Sequence, residues 1–158
     1  MLDMKLKRNR YDLFTNILCL ILLFGILIYL FIHWNSIPDK IPGHYNAMGE
    51  IDRMGSKGEI LILPIISWIM YLGMTVLEKF PQVWNTGVKV TEENKERVYR
   101  TLKNMISTMK VIVIAVFSYL TINSAQALSL SVWFLPVFLI LIFGSIIFFI
   151  IRLIRVSK

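Results

Sequence analysis

LFTNILCLILLFGILIYLFIHW, residues 13–34, decides the fold. Residues 17–32 form a continuous apolar run with no charged side chain. A helix rises about 1.5 Å per residue, so about 20 such residues cross the hydrocarbon core of a bilayer. In lipid only helices and closed barrels satisfy their backbone polar groups. A barrel strand would alternate apolar and polar residues, and this run does not. Working outward, three more apolar blocks of similar length follow at 60–80, 105–125 and 131–151. Hydrophobic residues make up 56% of the 158, above the roughly 45–50% of a soluble domain. A soluble helical protein would need a polar face on each helix, and none of the four blocks has one. The expectation is an all-α integral membrane protein with four transmembrane helices.

The first block follows Lys5, Lys7, Arg8 and Arg10, a basic start that a signal peptide would share. A signal h-region is shorter and ends at a small-residue cleavage site. This one runs on into His33-Trp34-Asn35 and reads as a retained anchor. The single cysteine, Cys19, has no partner within the chain for a disulfide.

Basic residues set the expected orientation. The N-terminus, the second connection and the C-terminus hold fourteen of the seventeen Lys and Arg residues. The first connection holds Lys40, Arg53 and Lys57, and the third holds none. Both termini are therefore expected inside a bacterial cytoplasmic membrane, with the connection between helices 1 and 2 outside. The net charge of +7 is then a topology signal. It gives no reason to expect nucleic acid, which takes a basic patch on a folded soluble face.

The expected helices are 13–34, 57–80, 92–125 and a fourth within 126–158, which ends in a basic tail. Residues 1–125 would form the motif-bearing part, and the whole would be one structural unit. Ser56 and Glu59 have capping-box spacing before helix 2. Pro64 would remove a backbone bond and bend that helix. Thr91 suits the N-cap of helix 3. Glu93 with Arg97, and Glu96 with Arg100, have the spacing of helical ion pairs. Arg97, Arg100, Lys103 and Lys110 could hold anionic lipid headgroups, or simply be the basic residues of the inner side.

Catalytic chemistry finds little footing. The chain contains no G-x-S-x-G, H-E-x-x-H, P-loop or G-x-G-x-x-G motif, each of which carries a recognisable site. No cofactor is expected and no catalytic residue is assigned. His44, Glu50 and Asp52 offer an alternative reading as three metal ligands, against the plainer one in which loop side chains bond their own backbone. The membrane blocks offer almost no charge for transport. Glu78 and Lys79 stand at the exit of helix 2, and Lys110 near the entry of helix 3 could snorkel.

The densest stretch is 34–57, WNSIPDKIPGHYNAMGEIDRMGSK. Pro38 and Pro42 stiffen it, Asn46 and Gly49 fit a tight turn, and Trp34 and Tyr45 suit the headgroup layer. It reads as a compact lid on the membrane. This stretch resembles a membrane-protein domain of unknown function that also forms the N-terminal part of immunity proteins against the sporulation-delaying peptide toxin. The family pattern has a tryptophan near the end of helix 1, then L-P-x-x-I-P-x-H-F/Y-N-x-x-G-x-x-D-x-x-x-S-K, then a proline early in helix 2. Trp34, Pro38, Ile41, Pro42, His44, Tyr45, Asn46, Gly49, Asp52, Ser56, Lys57 and Pro64 match in register. Ile37 replaces the leucine. The longer immunity proteins carry further C-terminal helices. The resemblance implies a non-enzymatic membrane protein that engages an extracellular or membrane-inserted ligand, such as an antimicrobial peptide toxin, through 34–57. Two other readings stay open: an outer-face enzyme using His44 and Asp52, and an accessory subunit packed against a larger transporter or sensor.

Overall fold

The computed structural model describes residues 6–158, so Lys5 lies outside the described residues. Four long helices account for most of it: α1 Arg10–His33, α2 Ile62–Leu77, α3 Lys95–Ala125 and α4 Phe134–Ser157. With its 3-10 lead-in, α2 belongs to a continuous span Lys57–Leu77, and all four spans are long and apolar enough to cross a membrane. The chain is mostly helical, but it is not all-α. Within the stretch expected as a compact lid, an antiparallel hairpin forms, β1 Lys40–Tyr45 with β2 Ile51–Ser56.

Capping chemistry marks the approach to the first three helices. Asn9 accepts from the Asp12 amide while the Asp12 carboxylate accepts from the Asn9 amide, which sets the start of α1 at Arg10. The Ser56–Glu59 capping box forms as the spacing predicts. It opens a 3-10 turn, Lys57–Leu61, and regular α-helix begins only at Ile62. Pro64 thus falls in the first turn of α2, where an absent N–H costs little. The change from 3-10 to α falls two residues before this proline. Thr91 and Asn94 exchange backbone-to-side-chain bonds of 2.8 and 3.3 Å, and α3 begins after them, three residues later than expected.

α3 is the spine, packing against α1, α2, α4 and the hairpin. Its 31 residues make a helix of about 46 Å, longer than the roughly 30 Å hydrocarbon core. Three apolar clusters stack along it. Leu30, Ile37, Ile41, Ile60 and Ala125 meet under the hairpin. Cys19, Leu23, Tyr71 and Ile114 fill the middle. Val98, Leu102 and Leu153 close the far end. Asn94 donates to the Ser157 carbonyl at 2.9 Å, so the start of α3 and the end of α4 share that far end. α4 is peripheral: only Phe149 and Leu153 are buried.

Candidate functional site

The hairpin is held by its own side chains and by the ends of the helices beneath it. Asn46 makes its turn: the Oδ1 accepts from the amides of Met48 and Glu50 at 2.9 and 3.0 Å, and the Nδ2 donates to Glu50 Oε2 at 2.8 Å. Gly49 sits at φ +82°, a left-handed conformation that L side chains rarely adopt. It also touches the neighbouring connection, and a Cβ there would stand 2.6 Å from the Leu130 carbonyl oxygen. That closeness has a use, because the Leu130 amide donates to the Gly49 carbonyl at 2.8 Å.

Three further bonds clamp the hairpin down. Ser124 Oγ donates to the Pro42 carbonyl at 2.7 Å. The Tyr45 hydroxyl donates to the Leu128 carbonyl at 3.2 Å. Arg53 spans the strands, donating to the Gly43 carbonyl at 2.8 Å and to Glu59 at 3.1 Å. Burial pushes the Tyr45 phenol up to about 12, with the nearby Tyr119 adding to the shift. At the entrance to α2 the Lys57 ammonium lies 5.1 Å above the Trp34 ring, within cation–π reach.

Between the hairpin and the ends of α2, α3 and α4 lies a cavity of about 500 Å³, inside the range of small-ligand sites. Ile60, Leu63, Leu120, Leu130, Phe134 and Leu135 form its apolar part, and His44, Asn46, Arg53 and Glu59 its polar side. His44 Nδ1 lies 2.7 Å from Asp52 Oδ1, both side chains being largely open to solvent. The structure therefore gathers Pro42, His44, Tyr45, Asn46 and Gly49 around one cavity. Ile41 lines it too and is buried. Asp52 reaches it only through His44. Pro38 is exposed on the approach to β1, and Ser56 serves the helix cap. Glu50 turns to Asn46, and no group of three metal-ligating side chains is found among the described residues.

The basic residues of α3 behave otherwise than expected. Arg100 and Lys103 both reach Asp12, at 3.1 and 3.0 Å, so neither i,i+4 pair forms: Arg100 turns away from Glu96, and no Glu93–Arg97 bridge occurs among the described residues. Lys110 is 1% exposed and ion-pairs with Glu78 at 2.7 Å. Ser107 donates to the same carboxylate oxygen at 3.0 Å, Thr75 accepts from Lys110 at 3.2 Å, and the Tyr71 ring lies 5.4 Å from the ammonium. Of the four candidate headgroup contacts only Arg97 is exposed. Lys110 is the midpoint of α3, about 22 Å along the helix from Ala125. Its ammonium is held within the protein by Glu78, at the C-terminus of α2. The sequence reading left Glu78 and Lys110 as separate charges near helix ends, and the structure joins them in one ion pair. Both residues were visible in the sequence, but only packing could pair them across 32 positions.

Comparison with known proteins bears on the hairpin half of the chain. Residues 21–67 carry a DUF1648 domain, a domain of unknown function. The DUF1648 segment takes in the later part of α1, the whole hairpin and the first turns of α2. An uncharacterized protein of Archaeoglobus fulgidus is 36% identical over an alignment of 66 positions, which covers 37% of this chain. The chain spans about a third of that relative, 36% of its length. No solved structure matches.

Proposed function

We propose that this is a ligand-binding membrane protein of the immunity-like class, with the hairpin outside the cell and both termini inside. One observation carries the reading: a hairpin fixed by its own turn and by bonds to the helix ends, roofing a cavity whose lower part belongs to membrane helices. A site built in advance loses less entropy when it closes on a ligand. A membrane-active peptide entering from outside would meet this cavity at the headgroup layer. The resemblance to toxin-immunity proteins supports the same class, and the bias of basic residues to the far end supports the orientation.

Two experiments test the proposal. Single cysteines in a Cys19→Ser background should react with an impermeant thiol reagent in whole cells at Met48 and not at Glu93, both exposed. The opposite pattern inverts the orientation. A sensitive strain expressing the protein should survive a membrane-active peptide that kills its parent, and His44→Ala should remove that survival while leaving the protein abundant in the membrane. No protection against any peptide in a panel would overturn the immunity reading.

The 2.7 Å His44–Asp52 contact favours a second reading. A carboxylate that orients a histidine beside a cavity is also how a general base is built. Turnover of a lipid-linked or peptide substrate by purified protein, lost in His44→Ala, would move the choice to that enzyme.

A further inference from the structure

The rim charge and the cavity lining together specify the ligand's chemistry, an inference that rests on the binding role proposed above. Under the hairpin the cavity is apolar and lies between helices, so the buried part of an occupant must be hydrocarbon. The polar side differs. Arg53 is spoken for, by Glu59 and the Gly43 carbonyl, and Lys57 is drawn over Trp34. The carboxylates of Glu50 and Asp52 take their hydrogen bonds from Asn46 and His44. Neither has a lysine or arginine partner among the described residues. Asn46 and His44 both line the cavity. Two solvent-accessible carboxylates without a lysine or arginine partner thus stand one side chain back from the cavity, behind the lining residues Asn46 and His44.

We propose that the cavity takes a cationic amphipathic peptide, an apolar side chain entering between Leu63, Leu120 and Phe134 while a lysine or arginine of the peptide meets Glu50 and Asp52. An anionic amphiphile would find the same pocket but be repelled by these carboxylates, and complementarity of this kind selects partners as well as holding them.

The test uses full-length protein in phosphatidylcholine nanodiscs, with empty discs as the blank. The probes are a Leu-Lys amphipathic peptide and the same peptide with Glu at every Lys. The Leu-Lys peptide should bind at least tenfold more tightly. Glu50→Gln with Asp52→Asn should weaken it about tenfold and narrow the preference. Leu120→Trp, which fills the pocket, should abolish binding of both. Equal binding of the two probes, or unchanged affinity in the double amide variant, overturns the charge assignment and leaves the binding role standing. Full binding in Leu120→Trp overturns the cavity as the site. If neither peptide binds, the cationic-peptide proposal falls, and the survival assay above then decides separately whether the binding role falls with it. Thermal unfolding of each variant close to that of wild type shows that loss of binding is not loss of fold.

Discussion

Replacing Lys110 with Met removes a cation that is 1% exposed and leaves Glu78, 13% exposed, without its counter-charge. The remaining partner of that carboxylate is Ser107, and Glu78 stands at the C-terminus of α2, where the helix dipole already disfavours negative charge. Breaking a buried ion pair from one side costs about 3–5 kcal/mol. Replacing both partners by neutral groups of similar shape is far cheaper, since neither charge is then stranded. Lys110→Met should therefore be destabilised by about 3–5 kcal/mol, and Lys110→Met with Glu78→Gln should recover at least half of the loss. The assay is reversible unfolding in mixed micelles, read by far-UV circular dichroism, across wild type, both single variants and the double. A Lys110→Met loss below about 1 kcal/mol, the scale of an exposed pair, would refute the burial argument. A double variant no more stable than Lys110→Met would refute the pairing.

Other perturbations act at the hairpin. Gly49→Ala forces a side chain into a φ of +82° and against the Leu130 carbonyl, and should cost about 1–3 kcal/mol, seen as faster amide exchange in 40–56 with α1 unaffected. Ser124→Ala leaves the buried Pro42 carbonyl without the bond that Ser124 donates, and should cost about 1–2 kcal/mol by the same unfolding assay. The Tyr45 phenol, raised by burial from 10.0 to about 12, contributes stability that is complete below its unfolded pKa and lost as pH rises through the folded one. Alkaline difference spectra should lose a late-titrating component in Tyr45→Phe, and hairpin protection should fall only above about pH 10.

The helices were legible because their signal is length: a run such as 17–32 has no soluble explanation. The caps were legible too, since Ser56 and Glu59 act within four residues of each other. The hairpin was not. Its strands are six residues each, β1 carries a proline and a glycine, and the register slips between Pro42 and Tyr45, so no clean alternation marks it. The loop residues that gather at the cavity could be picked out as a group from their turn chemistry and from the resemblance. The cavity's apolar lining could not, because Leu120 and Phe134 arrive from helices far along the chain and look like any membrane leucine or phenylalanine. Charge partners were misjudged for a related reason. Helical spacing offered Arg100 a neighbour in Glu96, but Asp12, buried and needing two cations, lay 88 positions away.

The central place of α3 bears on how the chain is made. Asp12 and Glu78 leave the ribosome before any of the cations that pair with them, because Arg100, Lys103 and Lys110 all belong to α3. α1 and α2 also find most of their packing on that later helix. Until it emerges, Asp12 and Glu78, near the ends of the first two spans, lack the cations that hold them in the finished fold, and the two spans have little packing on each other. Synthesis thus imposes an order: two spans wait, and the third both neutralises and assembles them. Chains interrupted before Lys110 should be the ones that membrane quality control recognises and destroys.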